Sequence, residues 1–139
     1  MTLGLSTKLN AAFEEVVERT TRALADQGFG VLTTIDVKAT LKQKLGEDME
    51  DYLILGACNP TLAHRALGVD RQIGQLLPCN VVVRADTGSP RDTVLVEAMD
   101  PQIMVQVAGQ SDALQAVADE AAAKLQAAIS ALGDTAPTK

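Results

Sequence analysis

The sequence predicts an α+β domain, mainly an antiparallel sheet of about five strands with long helices packed on one face. Three observations carry this. Short β-type segments interleave with helical periodicity along the whole chain. Residues 80–86 and 93–99 read as two strands joined by a Thr87-Gly88-Ser89-Pro90 turn, which favours an antiparallel hairpin and argues against a purely parallel sheet. Residues 112–132 place Leu114, Val117, Ala121, Leu125, Ile129 and Leu132 on one face of a long helix.

Taken in order, residues 2–9 alternate, with Leu3, Leu5 and Leu9 against polar neighbours, as a first strand does. Asn10 is placed to cap a helix carrying Phe13, Val16, Val17 and Leu24 on its apolar side, with Glu14, Glu15, Glu18, Arg19 and Arg22 opposite. Gly28 ends that helix where a left-handed residue is needed. Residues 30–35 form the second strand. Asp36 then caps a short helix with Val37, Leu41 and Leu45 in one stripe, closed by Gly46. The segment 52–58 is apolar on both alternating faces, so helices or a second subunit must cover each side. Asn59 followed by Pro60 starts another helix, which offers Leu62, Ala63, Ala66 and Leu67 to the core. Gly133 is expected to stop the last helix, leaving 1–133 as a single domain and 134–139 as a loose tail. The expected order is β-α-β-α-β-α-β-β-α.

Composition excludes several classes of function. At 139 residues and 47% hydrophobic, the chain has the length and apolar content of one independent domain. Only Phe13, Phe29 and Tyr52 are aromatic, so the core is aliphatic. A net charge of −6 with no aromatic platform opposes nucleic acid as a partner, since such binding needs cations that release counterions. The local run Lys38, Lys42 and Lys44 reads as a solvated helix face. No apolar run is long enough to cross a bilayer and the N-terminus lacks a signal-like pattern, so a cytoplasmic protein without membrane contact is expected. Two cysteines do not make a secretory framework, and in a cytosol they are expected to be reduced.

Those cysteines form the one candidate site. Cys58 closes a strand just before a helix N-terminus, where unpaired N–H groups favour a thiolate. Cys79 opens the next strand. If the two strands are antiparallel neighbours the thiols come close; if parallel, a strand length of ~20 Å separates them. Their settings are alike, Cys58-Asn59-Pro60 against Pro78-Cys79-Asn80, so Cys58, Asn59, Cys79 and Asn80 are the candidate ligand-binding residues. The bland reading is that both thiols are small buried hydrophobes at strand ends.

His64, the single histidine, would join Cys58 and Cys79 as three of the four ligands of a zinc site. The spacing matches no common finger, and His64 lies off the apolar face of its helix, which favours a surface histidine. A cysteine hydrolase built on Cys58 and His64 lacks an orienting third group. Gly28-Phe29-Gly30 follows a helix and lacks a third glycine, so it is no nucleotide fingerprint. Asp36 and Asp100 read as a helix cap and an Asp-Pro turn.

The runs Gly28-Phe29-Gly30-Val31-Leu32, Ile35-Asp36-Val37, Gly56-Ala57-Cys58-Asn59-Pro60, Leu77-Pro78-Cys79-Asn80-Val81 and Asp100-Pro101 together resemble the bacterial and archaeal family known as domain of unknown function 302 (DUF302). The resemblance spans about residues 10–110, and the paired Cys-Asn motifs are its specific part. It implies an antiparallel sheet gripped by helices (a helix-grip-like fold), homodimeric members, and Cys58 near Cys79. It implies no activity, so no residue inherits a catalytic role and no cofactor is indicated.

Three classes of function follow. One is a homodimeric binding module whose two-cysteine pocket takes a small ligand, metal or reactive sulfur species. Another is an interaction or structural protein in which the cysteines only pack. The third is a thiol-dependent enzyme or redox protein using Cys58. The first is the expectation.

Overall fold

The computed structural model describes residues 4–88, 93–109 and 111–134. In chain order it places β1 (Gly4–Asn10), α1 (Phe13–Asp26), β2 (Gly30–Asp36), α2 (Val37–Leu45), β3 (Tyr52–Cys58) and α3 (Pro60–Val69). A 3₁₀ turn (Arg71–Leu76), β4 (Cys79–Ala85), β5 (Thr93–Met99), α4 (Gln102–Ala108) and α5 (Asp112–Asp134) follow. The strands form one sheet in the order β1-β5-β4-β3-β2, with every neighbouring pair antiparallel. The α+β class, the antiparallel sheet and the helices on one face are as the sequence predicts.

Strand alternation explains which face is buried. Leu9, Val94, Val96, Ala98, Val81, Val83, Leu55 and Ala57 share one face and are almost completely buried. Val16 and Leu24 of α1 pack against them, as do Leu125, Ala128, Ile129 and Leu132 of α5. Thr20 is buried in the same layer, and its hydroxyl donates to the Val16 carbonyl one turn back, so no polar group is orphaned. A second core gathers Leu62 and Ala66 of α3, Ile73, Met104 and Val105 of α4, and Leu114, Val117, Ala118 and Ala121 of α5. The one long helix therefore serves two cores, its C-terminal half on the sheet and its N-terminal half on the short helices.

The other sheet face is only partly covered. A row runs across it through Glu97, Val82, Ile54 and Ile35, paired in register from strand to strand. Ile54 and Val82 are half-buried and Ile35 is exposed. Beside them the Arg84 guanidinium makes a two-pronged bond to Glu97, Nε to Oε1 at 2.7 Å and Nη2 to Oε2 at 3.2 Å. That bond, with the Glu97 charge, raises the guanidinium pKa further.

Several local expectations need correction. Asn10 does not cap α1: it is the last residue of β1, where its Oδ1 accepts from the Thr93 hydroxyl at 3.0 Å, and Ala12 stands at the cap position without a side-chain bond. The strand period outlasts the expected boundary there, and the asparagine closes a cross-strand pair instead. α2 buries none of its residues, so Val37, Leu41 and Leu45 are not a core stripe. Its lysines are tied to acids of the following loop, Lys38 to Asp51 at 3.2 Å and Lys42 to Asp48 at 3.0 Å. Gly133 does not stop α5, which continues to Asp134. α4 and the 3₁₀ turn are additions to the expected order. Asp36 caps α2 through its Oδ1 to the Ala39 N–H at 2.9 Å, and left-handed Gly46 closes that helix. Leu3, Ser89, Pro90 and residues 135–139 lie outside the described residues. Among the described residues, no helix is long and apolar enough to cross a membrane.

Candidate functional site

The two cores meet at one end of the sheet, and the cysteines sit at that seam. In the β3–β4 ladder Ala57 pairs with Cys79, and Cys58 lies one residue further on, in register with Gly30 of β2. The antiparallel alternative therefore holds, and the two cysteines stand at the same end of adjacent strands, one residue out of register. Both are free thiols. Together with Phe29, Ala57, Leu62, Ala66, Met104, Val117 and Ala121 they line a small, almost wholly apolar cavity. Phe29, Ala57 and Cys79 come from the sheet core, and Leu62, Ala66, Met104, Val117 and Ala121 from the helical one. The space open to the centre of a water-sized body is about 20 Å³. That is space enough for at least one water-sized group.

The thiols differ in environment. Cys79 is 7% exposed and Cys58 is half-buried. Burial, with a smaller contribution from Cys58, pushes the Cys79 thiol up to about 11. A charged sulfur there would be poorly solvated, so Cys79 is a neutral thiol at physiological pH.

Asn59 lines the same cavity and holds the site together. Its Oδ1 accepts from the Leu62 N–H at 3.2 Å, capping α3, with Pro60 in the first turn. Its Nδ2 donates across to the Gln27 carbonyl at 3.5 Å, so one side chain ties the end of α1 to the start of α3. Arg65 of α3 bonds Glu120 of α5 at 2.7 Å, linking the two helices that supply part of the cavity wall. That bond holds the Glu120 carboxyl below the usual carboxylate range.

Asn80 and His64 are not part of this assembly. Asn80 pairs with Gly56 and is exposed on the open sheet face, because alternation turns it away from Cys79. His64 is exposed on α3. Among the described residues, no three His, Cys, Asp or Glu side chains group as metal ligands, so Cys58, Cys79 and His64 do not form the zinc site considered from sequence. The wall residues Phe29, Met104, Val117 and Ala121 were not candidate site residues in the sequence. Val117 and Ala121 belong to the helical stripe of 112–132, but nothing in that stripe says which part faces a cavity. Met104 lies on α4, which the sequence reading omits.

The sequence profile described as "Domain of unknown function DUF302" matches residues 5–132. Among solved structures, the chain is similar to the crystal structure of an uncharacterized conserved protein DUF302 from Bacillus stearothermophilus. The two share 28% identity with a TM-score of 0.82, covering 94% of this chain and 98% of that one. None of the curated proteins matches. A profile match over nearly the whole domain, joined to a like fold along its full length, shows that the chain belongs to the DUF302 family.

Proposed function

We propose that this is a small binding protein whose two-cysteine cavity takes a small ligand, a metal ion or a reactive sulfur species. The observation that carries the reading is the convergence of Cys58, Cys79 and Asn59 on one cavity with an otherwise apolar wall. Two thiols on an otherwise apolar wall suit a soft, thiophilic ligand. The neutral Cys79 also weighs against its use as a nucleophile, because the reactive species is the thiolate.

A second copy of the chain is the natural cover for the open sheet face. Ile35, Ile54 and Val82 form an apolar row there, next to a cation and an anion side by side in Arg84 and Glu97. A patch carrying both signs is self-complementary under a two-fold axis. The reading is thus of a homodimer in a reducing, cytoplasm-like compartment.

Native mass spectrometry of protein purified without reductant tests both parts. The expected result is a dimer with one Hg(II) bound per chain on titration, and no such binding in a Cys58→Ser/Cys79→Ala double variant. A folded wild-type protein that takes no thiophilic probe would reduce the cysteines to packing residues.

A further inference from the structure

We propose that Cys58 carries a single sulfane sulfur as a persulfide, with the added atom lodged in the cavity beside Cys79. This rests on reading the cavity as a thiol-ligand site and names the ligand class.

Size is the first argument. A terminal persulfide sulfur lies roughly 2 Å from the cysteine sulfur. The cavity offers about 20 Å³ to the centre of a water-sized body, so that atom fits beside the two thiols. The wall is the second. Phe29, Leu62, Ala66, Met104, Val117 and Ala121 present carbon or thioether surface. An added oxygen, as in a sulfenic acid, would need a hydrogen-bond partner, and burying a hydroxyl without one is costly. The polar side chain at hand is Asn59, which is partly committed: its Oδ1 accepts from the Leu62 N–H and one Nδ2 proton goes to the Gln27 carbonyl. Sulfur makes weak hydrogen bonds and packs well on apolar surface, so it suits this wall better.

The third argument is the asymmetry between the thiols. Half-buried Cys58 is open to a donor, and Cys79 is enclosed. In the loading step the Cys58 thiolate attacks the outer sulfur of a low-molecular-weight persulfide, R–S–SH. A new sulfur–sulfur bond forms, the donor's breaks, and its electron pair leaves on RS⁻. RS⁻ takes up the proton that Cys58 gave up, so the sum is Cys58–SH + R–S–SH → Cys58–S–SH + R–SH. Attack by Cys79 on the inner sulfur would release hydrogen sulfide and leave a Cys58–Cys79 disulfide. That attack needs a Cys79 thiolate, which burial suppresses, so the persulfide is protected from its own neighbour.

The test is to treat the protein with glutathione persulfide, cap the thiols, and locate added sulfur by intact mass and peptide mapping. The expected result is one sulfur per chain on Cys58 of the wild type, kept in Cys79→Ala and absent in Cys58→Ser. Dithiothreitol should remove it, whereas a sulfinic acid of the same nominal mass would resist. Because the mapping is done on the wild type, it does not depend on either variant folding. Sulfur on Cys79, or prompt formation of the Cys58–Cys79 disulfide, would overturn the proposal. No added sulfur, with Hg(II) still binding one per chain, would overturn the persulfide and leave the thiol site standing. No added sulfur and no Hg(II) binding would remove both.

Discussion

Gly28 and Asn59 are in contact: a Cβ on Gly28 would stand 3.0 Å from the Asn59 Nδ2, and Gly28 itself has φ of +87°. The turn out of α1 thus needs a glycine twice, for its left-handed backbone and for the side chain pressed against it. Gly28→Ala is expected to destabilise the fold by roughly 1–3 kcal/mol. Asn59→Ala loses the cap of α3, at a cost of about 1 kcal/mol. Asn59→Asp keeps the cap acceptor and loses the donor to Gln27, so it should fall between wild type and Asn59→Ala. Urea unfolding midpoints at unchanged slope would establish the order, and an Asn59→Ala variant as stable as wild type would refute the clamp.

The Cys79 thiol supplies a pH prediction whose sign is fixed. Its pKa rises from 9.0 to about 11 on folding, so the native state holds the proton more tightly than the unfolded chain. The stabilisation is complete below pH 9.0 and is lost as pH rises toward 11. The stability advantage of wild type over Cys79→Ala should therefore shrink across that window, by on the order of 3 kcal/mol. In the native protein at neutral pH, iodoacetamide is expected to spare Cys79 and to modify it only after unfolding. Rapid alkylation of native Cys79 at pH 7 would contradict its buried, neutral state.

Gly56 is a second place where the fold depends on a missing side chain. A Cβ there would run into the Thr33 hydroxyl oxygen and approach the Pro78 ring at 3.0 Å. Gly56→Ala is expected to cost about 1–3 kcal/mol through overpacking. Thr33→Ala removes the nearer obstacle, so the double variant should recover part of the loss. A double-mutant cycle by thermal unfolding checks this, and strictly additive effects would show that the two positions do not press on each other.

The sequence was most legible where a single physical rule acts locally. Asp36 and Asn59 announce their helices because a side-chain acceptor before an apolar period satisfies a free N–H, and both do so in the structure. The same rule misreads Asn10, where pairing with Thr93 across the sheet wins over a cap. α4 escaped because seven residues between Asp100-Pro101 and Gly109 are too few to show a period. The strand 52–58 does show its two apolar faces, and one of them is the open face. Proximity of Cys58 to Cys79 required the strand order, which local pattern does not encode. Asn80 was separable from sequence: a strand turns neighbours to opposite faces, so Cys79 and Asn80 were never going to share one.

The open face yields the last prediction. Ile54 stands between Val82 and Ile35 in the cross-strand row, half-buried in a single chain. If a second copy covers that row, a lysine at this position places an unpaired cation in the interface, while in a lone chain its stem lies on the sheet and its ammonium reaches water. Ile54→Lys is therefore expected to shift the protein from dimer to monomer in sedimentation while the far-ultraviolet dichroism stays unchanged. Its monomer should lose no more than about 1–2 kcal/mol, because the replaced side chain is not fully enclosed in one chain. Exposed Leu32 on the β2 edge is the control: Leu32→Lys lies in the bulge outside the row and should leave the dimer intact. A variant that remains dimeric at Ile54→Lys, or a wild-type protein that sediments as a monomer, would mean that a second copy does not cover this face.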